Sequence, residues 1–428
     1  MKAIKTRLVS SLLLCLLAAC APQYINPPIR PTTTPPPVPS PTASRAGTPT
    51  VEAPTPTSTA GAFIPVTFLK MIDENNGWAW ANSNTYGFLE LLRTTDGGQT
   101  WTDVSPYDLN FAGYGGYFLD AKTAWVQIVP EASGTADGLA HTTNGGKTWT
   151  VTKNELPFVP ASSFHFLNQN TGWAQTIDVG AGNAYIQLYR TQDSGVTWHP
   201  IIITPPEPET NPAKGTIHLC NICGDGFYYD PSRAVITYGD LATSPGGAVR
   251  LAISTNLGKT WKNLKLPLPS GQFRDRAIAP LGPTFFDNQD AVLPVLMEKD
   301  ILQDTPSVTL AIYSTTDGGL SWKAAPATLD QVSAFATVDF VSPKDAFVAC
   351  GDALCVTHDG AQSWQSLKSS LSFDPHTTTS QHVSLVDFIS AQTGWAVMSN
   401  DDRSVTTLWK TTNGGVTWIL LSPTVIPK

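Results

Sequence analysis

Arg93-Thr94-Thr95-Asp96-Gly97-Gly98-Gln99-Thr100-Trp101 is the stretch that decides the fold. Asp followed by Gly is a turn signal, because the side chain accepts backbone N–H bonds while glycine takes positive φ. Thr-Trp then opens a β-strand. The stretch recurs as H-T-T-N-G-G-K-T-W at Trp149, R-T-Q-D-S-G-V-T-W at Trp198, I-S-T-N-L-G-K-T-W at Trp261, Y-S-T-T-D-G-G-L-S-W at Trp322, V-T-H-D-G-A-Q-S-W at Trp364 and K-T-T-N-G-G-V-T-W at Trp418. The turn residue is in order Asp96, Asn144, Asp193, Asn256, Asp317, Asp359 and Asn413. Asn serves in three of the seven copies, so the motif does not require a carboxylate, and a structural turn is favoured over catalysis or metal binding.

A second motif precedes each turn. It reads F-L-K-M-I-D-E-N-N-G-W to Trp78, F-L-D-A-K-T-A-W to Trp125, F-L-N-Q-N-T-G-W to Trp173 and F-I-S-A-Q-T-G-W to Trp395. Copies without Trp run through Phe227 to Ala234, Phe285 to Ala291 and Phe340 to Phe347. Strand, polar turn, strand is the plain reading, so each repeat holds two hairpins and four strands. The turn tryptophans are spaced by 48, 49, 63, 61, 42 and 54 residues. Seven four-stranded units of that length predict an all-β protein, a seven-bladed β-propeller with four-stranded blades. The first blade is expected to start near Phe63 and the last to end between Ile419 and Pro423. Blades would then be contiguous in sequence, with the ring closed by packing of first against last or by a short strand exchange.

The turn motif resembles the Asp-box (BNR repeat) of sialidases, sortilin-type receptors and related bacterial propellers. Together with G-W-A it resembles the photosystem II stability and assembly factor family and its relatives in non-photosynthetic bacteria. The resemblance covers residues 62–428. It implies a non-enzymatic assembly or recognition role in the envelope.

Ahead of the repeats the composition differs. Lys2, Lys5 and Arg7 precede an apolar run from Leu8 to Ala19, too short to span a bilayer, which reads as an export signal over residues 1–19. The run ends in Leu17-Ala18-Ala19-Cys20, which resembles the bacterial lipobox and implies a diacylglyceryl group on Cys20; the alternative is an ordinary secretory signal. Over residues 21–61, 12 of 41 residues are Pro and 9 are Thr, which cannot bury a core. Residues 20–61 are therefore expected to be a lipidated Cys followed by a disordered Pro/Thr-rich stalk. The predicted location is extracytoplasmic, on the cell membrane or an outer membrane, with the lipid as the only membrane contact.

Of 428 residues only 14% are charged, and the formal net charge is -8. That balance argues against a nucleic-acid binder. A monomer without a cofactor or metal is expected, its partner an envelope protein or a glycan. The enzyme alternative is a glycoside hydrolase of sialidase or xyloglucanase type, and the third a structural surface protein without a ligand. Sialidases carry Arg-Ile-Pro and two further arginines, whereas this chain has Phe63-Ile64-Pro65. The available arginines are Arg190, Arg233, Arg250, Arg274, Arg276 and Arg403, and nothing in their spacing marks a substrate clamp. Two-carboxylate hydrolysis would need an acid pair about 5–10 Å apart, and Asp178, Asp240, Glu298, Asp300 and Asp401 fall in expected loops. Length variation concentrates in Pro200–Gly215, Lys265–Pro283 and Glu298–Pro306, on the face opposite the hairpin turns, and marks that face as a candidate binding surface.

Cys220, Cys223, Cys350 and Cys355 remain for the propeller, and an exported location favours disulfides. Local pairings, Cys350 with Cys355 and Cys220 with Cys223, are expected. A zinc site with His218 and a redox C-x-x-C are the alternatives.

Overall fold

The computed structural model describes residues 66–82, 89–106, 111–128, 136–158, 163–180, 183–203, 227–229, 233–238, 249–256, 260, 262–269, 273, 276–299, 307–332, 338–373, 382–400 and 406–426. Cys20, Cys220, Cys223, Trp261, Arg274, Asp240, Asp300, Asp401 and Arg403 lie outside them, as do residues 1–65.

Among the described residues the strands sort into seven sheets and no α-helix is present. The first sheet pairs Val66–Met71, Gly77–Asn82, Leu89–Thr94 and Thr100–Asp103 in antiparallel succession. The others repeat this plan in chain order, except that the fifth has six strands, including the long hairpin Ala291–Lys299 and Ser307–Thr315.

A sheet with two apolar faces must bury both, and here each packs against the next sheet. Trp78, Leu91 and Val104 of the first sheet share a core with Phe118, Val126 and Ala140 of the second. Leu69, Met71 and Trp101, on the first sheet's other face, join Trp395, Val397 and Leu408 of the seventh. Equivalent cores join second to third, fourth to fifth, fifth to sixth and sixth to seventh. An all-β β-propeller results. The described cores number six, one short of the seven junctions that the expected seven-bladed ring requires.

The junction between seventh and first sheets also carries polar contacts. Lys70 Nζ lies 2.8 Å from Asp387 Oδ1, both buried, and the Met71 N–H donates to the other oxygen of the same carboxylate. The expectation of contiguous blades is corrected here. Thr424–Ile426 leaves the seventh sheet and pairs in parallel with Thr100–Asp103, so the C-terminal segment becomes the fifth, outermost strand of the first sheet. The short Ile419–Leu420 strand and Pro423 free the β-branched Thr424, Val425 and Ile426 to add to that edge.

Candidate functional site

Each turn motif is organised by its Asp or Asn. Asp96 Oδ1 accepts from the Thr94 hydroxyl (2.9 Å) and from the N–H groups of Gln99 (3.0 Å) and Thr100 (2.8 Å). Its Oδ2 accepts from the Thr100 hydroxyl at 2.6 Å. Asn144 keeps the Oδ1 half of this pattern, while its Nδ2 donates to the Thr148 hydroxyl at 2.8 Å. Asn256 and Asn413 do the same with Thr260 and Thr417. A hydroxyl both donates and accepts, so reversing one hydrogen bond makes Asp and Asn interchangeable.

Partial burial disfavours ionisation of Asp96, Asp193 and Asp317, but their hydroxyl and N–H donors outweigh it and hold all three below the ordinary value. Asp359 is brought to about 2, chiefly by the Ser363 hydroxyl and N–H. These carboxylates are ionised, and their oxygens are occupied within their own turns.

Where a motif lacks one glycine, Ser194 (φ 63°) or Ala361 (φ 62°) takes the left-handed conformation instead. The second glycine also admits the preceding sheet. A Cβ on Gly146 would lie 2.5 Å from Val104 Cβ, and one on Gly415 would lie 2.4 Å from Leu354 Cδ2.

The tryptophans of the second motif reach across junctions. Trp78 Nε1 donates to Asp120 O, Trp125 Nε1 to Ser194 O and Trp395 Nε1 to Gly97 O, in each case a turn of the following sheet. Opposite these tryptophans on the third strand stand Arg93, His141 and Lys410, and Arg190 stands opposite Trp173. Arg93, Arg190 and Lys410 lie over the indole rings at 5.8, 5.1 and 4.6 Å, and His141 stacks on Trp125 at 4.5 Å. In the sheets without this Trp the registered pairs are Val235 with Ile253, Val292 with Ser314 and Phe347 with Val356. Sequence reading found the tryptophans and missed these partners, although each sits three residues before a turn Asp or Asn.

One of these cations borders a groove between the first and second sheets. The groove has a volume of about 180 Å³ and is lined by Arg93, Thr95, Thr100, Thr102, Val104, Gly145 and Lys147. Strand alternation places Trp101 in the core shared with the seventh sheet, so Thr100 and Thr102 face the other way. Arg93 Nε donates to Ala121 O at 2.9 Å, and its guanidinium lies against Gly145, where a Cβ would come within 3.0 Å of Cζ. Burial pushes the Arg93 guanidinium pKa down, with Asp73 opposing. Among the described residues no carboxylate lines the groove.

Of the acids considered for hydrolysis, only Glu298 has a described side chain. Burial raises the pKa of Glu298. Across the same sheet Asp330 is in register with Thr309, while Glu298 is in register with Val308. Thr309 and Val308 are consecutive, so Glu298 and Asp330 leave opposite faces. Asp330 instead accepts from the Thr309 hydroxyl (2.5 Å), which accepts from Arg276 (2.6 Å), so Arg276 is held within the fifth sheet. Arg233 donates to Asn288 O in a turn of the fifth sheet. Arg190 is held over Trp173, and no side-chain placement is described for Asp178 or Arg250.

Of the expected binding loops, only parts of Lys265–Pro283 are described, together with Pro200 to Ile203, Glu298 and Lys299. Cys350 and Cys355 are joined by a disulfide with Cα atoms 5.8 Å apart. Cys350 pairs with Ala353, two residues before Cys355, so both sulfurs lie on one face of the hairpin.

No protein-family model matches the chain. Nor does any curated protein. Solved structures do resemble it. YCF48, solved bound to a D1 peptide, is 17% identical over 83% of this chain and 93% of its own, with a TM-score of 0.46. The GH74 xyloglucanase from Xanthomonas campestris is 15% identical with a TM-score of 0.50 over 84% of this chain, which spans 55% of the xyloglucanase. A PL25 ulvan lyase is 10% identical over 84% of this chain and 96% of its own, with a TM-score of 0.47. The xyloglucanase likeness shows the propeller fold.

Proposed function

We propose that this chain is an envelope-tethered, non-catalytic β-propeller that acts as a binding or assembly scaffold for a protein or glycan. In this reading residues 1–19 are a lipoprotein signal peptide, Cys20 carries the lipid, the Pro/Thr-rich segment to residue 61 is the stalk, and residues 62–428 close as seven blades. The carrying observation is the use made of the repeated carboxylates. Asp96, Asp193, Asp317 and Asp359 are all bound by hydroxyl and N–H donors of their own turns, which keeps them ionised and occupied. A general acid for glycoside hydrolysis needs the reverse, a carboxyl with a raised pKa facing a second carboxylate. Glu298 meets the first condition, and Asp330, a described acid of the same sheet, leaves the opposite face from it.

Two experiments test this reading. Metabolic labelling with radioactive palmitate should mark the wild-type chain and leave Cys20→Ala unlabelled; equal labelling of both would remove the anchor. The full-length protein should be retained by an immobilised envelope protein or glycan without releasing reducing ends from a polysaccharide panel. Sustained release would replace the scaffold by the glycoside hydrolase, and failure to retain any partner would leave the purely structural surface protein.

A further inference from the structure

The groove between the first and second sheets can be compared with its own repeats. Its walls are the third-strand residue of one sheet, Arg93, and the residue between Gly and Thr in the next turn, Lys147. The same two positions are Lys410 and Gln99 where the seventh sheet meets the first, and His141 and Val196 where the second meets the third. They are Ser314 and Gln362 between fifth and sixth, and Val356 and Val416 between sixth and seventh. They are Ile253 and Leu320 between fourth and fifth, and Arg190 and Lys259 between third and fourth, so two junctions carry a permanent cation at both positions, and the first-to-second is the one whose two residues are both described. Three threonines, Thr95, Thr100 and Thr102, complete the polar lining; the Thr100 hydroxyl is already given to Asp96 and Asp73 acts on Arg93, but neither acid is among the described lining residues.

Arg93 is held rather than free to swing away. Its Nε is fixed to Ala121 O, one terminal nitrogen is 3.4 Å from Asn76 Oδ1, and the guanidinium is clamped between Trp78 and Gly145. A half-buried guanidinium beside an exposed ammonium favours a bound anion, since partial desolvation strengthens charge-assisted hydrogen bonds. At about 180 Å³ the space is smaller than the roughly 300–1,000 Å³ of pockets that enclose a whole ligand. It fits one charged group.

We propose that this groove is an oxyanion subsite, in which Arg93 and Lys147 take one carboxylate, sulfate or phosphate group of an acidic ligand held on the turn side of the propeller. The proposal rests on the binding-scaffold reading for its biological use but not for its test. Sodium acetate, sulfate and phosphate are titrated in turn against the full-length protein by isothermal calorimetry at constant ionic strength, with chloride as the reference. At least one oxyanion should bind with saturation where chloride does not, and the tightest of the three identifies the group. Lys147→Gln, which installs the residue already present at Gln99 and Gln362, should fold normally and weaken that binding about fivefold, as expected of an exposed charge contact. Lys410→Gln at the neighbouring junction should leave it unchanged. No saturable oxyanion binding, or equal binding by wild type and Lys147→Gln, overturns the subsite. Binding lost in Lys147→Gln while partner retention persists, or the converse, separates the subsite from the scaffold reading.

Discussion

If Asp96 is a turn residue, replacing it with Ala should cost stability while replacing it with Asn should not. In Asp96→Ala four hydrogen bonds disappear, from the Thr94 hydroxyl, the Gln99 and Thr100 N–H groups and the Thr100 hydroxyl. Each contributes about 0.5–1.5 kcal/mol net. Asp96 is only partly buried, so water replaces some of them, and a loss of about 2 kcal/mol remains. Asp96→Asn keeps the Oδ1 acceptor and can turn its Nδ2 toward the Thr100 hydroxyl, as Asn144 does toward Thr148. Its loss should stay below about 1 kcal/mol. Urea unfolding of the full-length chain followed by tryptophan fluorescence reads the difference as a shift in midpoint at constant slope. Equal destabilisation by the two variants would show that the charge itself matters, and would refute the reasoning.

Three further outcomes follow from the packing. Gly146→Ala combines a Cβ 2.5 Å from Val104 Cβ with φ 79° and should lose about 2–4 kcal/mol, whereas Gly351→Ala, with its nearest neighbour at 3.8 Å, should lose only the backbone term of about 1–2 kcal/mol; urea midpoints compare them. His165 is buried and its pKa is lowered by desolvation from 6.5 to about 4. As pH falls below 6.5 the unfolded chain gains a proton that the folded chain refuses, so stability declines down to about pH 4 and then levels. The loss is on the order of 3 kcal/mol, and His165→Gln should flatten this slope in melts run across that range. Finally, reducing the disulfide between Cys350 and Cys355 reopens a loop of six residues and should lower stability by about 2 kcal/mol, measured with and without reductant.

What was legible in the sequence was local. The Thr94, Asp96, Gly98 and Trp101 pattern lies within one turn, so its hydrogen bonds follow from residue order, and the hairpin around Gly351 places Cys350 and Cys355 within reach in the same way. Features that depend on the register of distant strands were not legible. Nothing local says that Lys70 meets Asp387, 317 residues away, or that Thr424–Ile426 adds to the edge of Thr100–Asp103. The groove belongs to the same class, since Arg93 and Lys147 come from different sheets and border one groove, where Gly145 leaves room for the guanidinium. One signal was present and unread. A basic residue (Arg93, His141, Arg190 or Lys410) three residues before the turn Asp or Asn accompanies each G-W or A-W tryptophan and is absent from the sheets that lack it. Aligning strands two and three of each repeat would have shown this, because the partners face each other in the antiparallel ladder.

The four turn carboxylates, Asp96, Asp193, Asp317 and Asp359, are ionised, hydrogen-bonded structural groups. Selectively labelled carboxyl resonances of the full-length chain, followed through an acid titration, measure this directly. Asp96, Asp193 and Asp317 should each titrate below the ordinary 3.8, and Asp359 near 2. A turn aspartate titrating at or above 3.8 would contradict the account, and one well above it would identify a candidate general acid in a place the account reserves for architecture.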